Sequence, residues 1–278
     1  MRAQHGSGPG RLIDARRQRA VLVAALVTAL VELAGLAELL PGLTVGRIGL
    51  SPALLPALVV GVLLGRRWLG RPAVLAATRL FWAAVAVGGA LGAALTAQAG
   101  HAADVAGVLV SAFGEELVYR FAVPAVATAV LLALRLPARP ARVGGFVVAG
   151  LWFVLLPGHR AQMDDLASTL AFLAFATLAA VVVYRSGSLL AAGATHVVLN
   201  LFTLLAFDGD LGGVQRGVLV GYLLVLLVAA YGTRRPVEVG AGIVIDLRDG
   251  EPPTVTDAAG VATPLAEPAE EPDTVSVP

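Results

Sequence analysis

Glu115, Glu116 and Arg120 fall within SAFGEELVYRF, residues 111–121, in surroundings otherwise apolar enough to cross a bilayer. On an α-helix, Glu116 and Arg120 stand four apart on one face, in the acid-first order that favours an ion pair. Glu115 points about 100° away from Glu116 at 3.6 residues per turn. The spacing predicts that Arg120 neutralises Glu116, leaving Glu115 to face a neighbouring helix and take a proton from water. Each charge at the centre of a membrane helix costs about 2.5–3.5 kcal/mol on insertion scales, so the trio demands polar partners from other helices. The same spacing also suits a salt-bridged trio that only fixes helix packing.

Histidine supplies the remaining candidates. His5 lies in an Arg-rich leader and His101 in a loop, and both read as solvated residues. His159 ends the apolar stretch LWFVLLPGHR, while His196 sits inside GSLLAAGATHVVLNLF with Asn200 one helical turn beyond it. A lone membrane histidine is more often an interhelical hydrogen-bonder than a catalyst. Here, though, a glutamate, a histidine beside it and a second histidine with an asparagine amide are parts for activating water and holding an oxyanion. Glu115, His159 and His196 could alternatively hold zinc, with water in the open position. The chain contains no HExxH and no cysteine, which excludes a standard zincin site, a thiolate metal site and a cysteine nucleophile.

These groups need helices in lipid to position them. Of 278 residues, 58% are hydrophobic and only 14% charged, and the mean hydropathy is +0.83. A soluble domain carries roughly 25% charged residues. The expected fold is all-α, a polytopic membrane helical bundle of about eight transmembrane helices. Candidate spans lie at 20–41, 48–65, 73–97, 104–134, 143–158, 166–184, 188–206 and 214–231. The net charge of +1 implies no nucleic-acid partner. All 20 basic side chains are arginine, in keeping with a GC-rich bacterial coding sequence. With the N-terminus inside, fourteen arginines fall in cytoplasmic segments and three outside, as the positive-inside rule requires. This predicts an integral protein of the bacterial plasma membrane with both termini cytoplasmic. The expected organisation is a leader at 1–19, N-terminal transmembrane helices at 20–103, a catalytic core at 104–206, a last transmembrane helix at 207–231 and a disordered, acidic, Pro-rich tail at 232–278.

The order of motifs resembles the CPBP family of intramembrane proteases, which includes the type II CAAX prenyl endopeptidases and bacterial bacteriocin-processing or self-immunity homologues. EELVYR, Glu115 to Arg120, resembles the family's EExxxR motif, and HVVLN, His196 to Asn200, its HxxxN/D motif. The approach YRSGSLLAAGATHVVLN is also similar. The middle motif, an aromatic four residues before a histidine, departs here: Leu155 stands in the aromatic position before His159. Phe121 also follows the arginine where many members have glycine. The resemblance implies that Glu115 and His159 activate water, that His196 and Asn200 stabilise the oxyanion, and that Glu116 and Arg120 support the site. On metal it leaves both possibilities, zinc or a glutamate-dependent mechanism without a tightly bound metal; the amide standing where a third ligand would be inclines toward the second.

The leading reading is thus an intramembrane endopeptidase acting near the bilayer surface on a peptide or membrane-associated protein substrate. One alternative is a non-catalytic scaffold or self-immunity protein of the same fold, favoured by the departure at Leu155. A second is a proton-coupled transporter whose polar path adds Glu32 and Arg79. Those two residues are otherwise expected to pack or to snorkel toward an interface.

Overall fold

The computed structural model describes residues 15–65, 79–163, 165–207, 254–256 and 262–264. Helix α1, Ala15–Leu36, is followed by a hairpin of β1, Leu43–Val45, and β2, Ile48–Leu50, then by α2, Leu54–Leu64. Next come α3, Arg79–Gln98, and α4, Ala102–Leu117, which runs through a π turn, Val118–Ala122, into α5, Val123–Ala133. Helix α6, Ala138–Leu155, breaks before the short α7, Pro157–Arg160, and the core closes with α8, Leu166–Ser186, and α9, Leu189–Phe207.

Three described segments are long and apolar enough to cross a membrane: Arg16–Leu36, Ala102–Ala133 and Ala138–Leu155. Leu54–Leu64, Trp82–Gln98, Ser168–Tyr184 and Leu189–Leu205 are shorter apolar helices. The expected span at 214–231 and the leader before residue 15 lie outside the described residues. The second expected span, 48–65, is corrected. Its first residues form an antiparallel hairpin instead, with Leu43 opposite Leu50, and only eleven residues remain for α2. At 1.5 Å per residue these cover about 16 Å, well short of the hydrocarbon core. The turn explains the change: Gly46 adopts a φ of +61°, open to glycine at little cost, between two β-branched strand ends. Arg47 then fixes the hairpin to the first turn of α4, donating to Asp104 from its backbone N–H at 2.7 Å and from Nε at 2.6 Å. Within the tail, strands β3, Thr254–Thr256, and β4, Ala262–Pro264, pair antiparallel, and the other residues from 232 onward lie outside the described residues.

The burial pattern is that of a bundle in lipid. Large apolar side chains such as Leu55, Val62, Val147 and Leu151 face outward, while Glu32, Ser111, Glu116, Arg120 and His196 are buried among the helices. Small residues permit close packing, as lipid-embedded helices require. A Cβ on Gly145 of α6 would lie 2.7 Å from the Pro124 carbonyl of α5, and one on Gly193 of α9 would overlap the Phe113 ring of α4. These two contacts hold α6 and α9 against the helix that carries the charged trio.

Candidate active site

The π turn has a local cause. Pro124 has no N–H to return to the Arg120 carbonyl four residues back, and its ring would crowd that carbonyl. The chain widens instead, and Val123 N–H bonds to the carbonyl of Val118, five residues back. Tyr119 and Arg120 therefore leave the helix at angles that a regular 3.6-residue repeat does not give.

The expected division of the charged trio appears in the geometry. Arg120 Nε lies 3.5 Å from Glu116 Oε2, and both side chains are about 1% exposed. Glu115 keeps 21% of its side-chain surface exposed, which makes it the accessible carboxylate of the pair. Its Oε1 accepts a hydrogen bond from Ser111 Oγ at 2.9 Å, and its Oε2 lies 3.7 Å from His196 Nε2. Arg120 also places its guanidinium carbon 4.7 Å from the centroid of the Phe153 ring and donates weakly to its neighbour's carbonyl, Tyr119 O, at 3.4 Å.

His196 comes from α9 and is buried between the two glutamates. Its Nδ1 lies 2.9 Å from Glu116 Oε1, so Glu116 is held by both Arg120 and His196. An ionised carboxylate only accepts, so Nδ1 carries the proton and Nε2 is the nitrogen presented to Glu115. Phe175 of α8 packs on the imidazole at 4.8 Å between centroids. Asn200, one turn farther along α9, is partly buried.

His159 reaches this region from α7. Its Nδ1 donates to the Phe153 carbonyl at 2.6 Å, because a carbonyl can only accept, which leaves Nε2 as the open nitrogen. Burial holds the imidazole below its ordinary pKa, against the opposing charge of Glu115 and the bond to Phe153. Leu155, which occupies the family's aromatic position, is exposed. The ring contact comes from elsewhere: Phe153 lies 4.3 Å from His159 between centroids, and Phe172 of α8 lies 5.2 Å away. The break after Leu155 folds α7 back so that Phe153 stands beneath the histidine. Phe153 also meets His196 at 6.0 Å, so this one ring touches both histidines and Arg120.

Among the described residues no three His, Asp or Glu side chains are grouped as a metal ion requires. Glu115, His159 and His196 were the residues considered for zinc; both histidines hold Nδ1 on a protein acceptor and keep Nε2 open, as metal-ligating histidines commonly do, but the three do not form a group that could hold one ion.

Several neighbours of this cluster had no clear sequence signal. Phe153 and Phe175 read as ordinary apolar residues, and Ser111 as a small helix residue. Glu32, expected to pack or to snorkel, packs: it is buried, with Tyr119 Oη donating to its Oε1 and Ser51 Oγ to its Oε2. The side chain of Arg79 lies outside the described residues.

No curated protein and no solved structure matches the chain significantly. A family model does: residues 97–202 match the family described as type II CAAX prenyl endopeptidase Rce1-like. That segment contains Glu115, Glu116, Arg120, His159, His196 and Asn200, and over it this integral membrane protein is similar to the Rce1-like family, in line with the resemblance to the CPBP family.

Proposed function

We propose that the chain is an intramembrane endopeptidase in which Glu115 and His159 activate a water while His196 and Asn200 hold the oxyanion. The observation that carries the reading is the gathering of a partly exposed carboxylate and two imidazoles, each with Nδ1 bonded and Nε2 open, in one cluster inside the matched segment. Glu115 Oε2 is itself buried, makes no hydrogen bond among the described residues and lies 3.7 Å from His196 Nε2, a separation that one water could bridge. Neutral His159 offers Nε2 as a proton acceptor, which suits a base that shares the water's proton with Glu115.

Glu115 and His159 take a proton from the water as its oxygen attacks the scissile carbonyl, and negative charge develops on the carbonyl oxygen. When this tetrahedral intermediate collapses, the C–N bond breaks and the proton passes to the departing amine. Protonated His196, its Nδ1–H held by Glu116, would donate from Nε2 to that oxygen, with the Asn200 amide as the second donor. Glu116 and Arg120 act by fixing the imidazole rather than by touching substrate. The substrate is a peptide or membrane-associated protein segment, and prenylation is one of the features to be tested.

The test is peptide-bond cleavage by purified protein in nanodiscs, using prenylated and unprenylated membrane peptides. Cleavage that Glu115→Gln abolishes and that persists with chelator supports the reading. Cleavage that chelator removes and zinc restores would refute the metal-free route. No cleavage across the pool, with Glu115→Gln equally functional in cells, would favour a non-catalytic scaffold or self-immunity protein.

A further inference from the structure

Glu32 is a buried carboxylate outside the family segment, and the hydrolytic mechanism above does not use it. It projects from α1 and is 5% exposed. Its two oxygens accept from Tyr119 Oη and Ser51 Oγ, and no basic side chain among the described residues pairs with it. Ser51 follows the hairpin and also accepts the Ala53 N–H at 3.0 Å, at the entry to α2. The carboxylate thus ties α1, the start of α2 and the π turn to one point.

Tyr119 is the link to the active site. It is 1% exposed, its ring packs edge-on against Trp152 at 6.2 Å and Phe153 at 5.4 Å, and its carbonyl accepts from Arg120. Arg120 contacts Glu116, and Glu116 holds His196. A widened turn lacks the regular hydrogen-bond ladder that sets side-chain direction, so its residues depend more on tertiary anchors.

We propose that Glu32 is a positioning residue of the active site: through its hydrogen bond to Tyr119 it sets the π turn and thereby the direction of Arg120, Glu116 and the His196 ring. The first helix, outside the matched residues 97–202, is then part of the catalytic apparatus. The inference rests on reading the cluster as hydrolytic for its kinetic consequence, but its geometric content can be measured without any activity.

The experiment uses the full chain in nanodiscs, with Tyr119→Phe, Glu32→Gln and the double variant. Both substitutions preserve shape, and ring-labelled histidine NMR reads the four imidazoles directly. The expected result is the same displacement of the His196 ring signals in each single variant, with no further change in the double variant. Peptide cleavage should fall about ten-fold in kcat with KM unchanged, the lower end of the range for groups that orient a reacting side chain, while thermal unfolding moves little. His196 signals identical to the parent in both single variants would overturn the proposal, as would displacements that add in the double variant. If the parent cleaves nothing, the endopeptidase reading fails, yet the NMR comparison still decides whether Glu32 orients His196.

Discussion

Arg120 and Glu116 make a quantitative test of how the buried charges are balanced. Both are about 1% exposed, and the closest approach is 3.5 Å. At an effective dielectric of about 20, opposite unit charges at that distance attract by about 5 kcal/mol. Removing one partner of a buried pair typically costs about 3–5 kcal/mol, because the other charge is left uncompensated. Arg120→Met should therefore destabilise the protein by about 3–5 kcal/mol, a large part of the 5–15 kcal/mol that holds a typical fold. Glu116→Gln strands the cation instead and should cost less, since the amide oxygen can still accept from His196 Nδ1. The double variant buries no unpaired charge from this pair, so its loss should be far smaller than the sum of the two. Denaturant titration in mixed micelles, followed by tryptophan fluorescence, yields the cycle. Strict additivity would refute the reasoning. It would mean that Arg120 contributes chiefly through its contact with the Phe153 ring, and the coupling between the two charges would be negligible.

Other outcomes follow from the same geometry. Glu115→Gln should lower cleavage by about 10²–10⁴-fold, as loss of a general base does, with unfolding little changed because the side chain is partly exposed; equal activity in the variant would remove Glu115 from the mechanism. His159 has its folded-state pKa held below the ordinary 6.5. As pH falls below that value the unfolded chain takes up the proton first, so stability declines as pH drops toward the folded pKa. Cleavage should decline over the same acidic range as the neutral base is lost, and a His159→Gln variant that kept the parent's pH profile would contradict this. Pro124→Ala restores the missing N–H and lets the helix close to its regular form, turning the residues before Arg120 relative to those after it. The expected result is reduced cleavage at unchanged or higher thermal stability, and an unaltered kcat/KM would show that the π turn does not matter.

The sequence was informative where the physics is local or compositional. An apolar chain with sparse charge must place its helices in lipid, and the order Glu115, Glu116, Arg120, His159, His196, Asn200 was readable because each motif spans only a turn or two. The pairing of Glu116 with Arg120 follows from helical geometry alone, and the structure keeps it at the longer reach of 3.5 Å. The second span was misplaced because an apolar run containing Gly and Pro looks similar as hairpin plus short helix and as one helix. Hydropathy averages over a window and does not register a turn at Gly46.

The rest was decided by which helices pack together. His196 meets Glu116 across 80 residues, and Tyr119 meets Glu32 across 87. Neither contact has a periodic signature, since each depends on the packing of α9 on α4 and of α1 on the π turn. Phe153 supplies the ring beneath His159 because the chain breaks after Leu155 and turns back, a geometry that four-residue spacing along a straight helix does not describe. The sequence by itself determined the solvent and the chemical groups, through transfer free energy and helical repeat. Only the tertiary structure decided the partner of each buried charge, because inside lipid a polar group must find its complement on another helix.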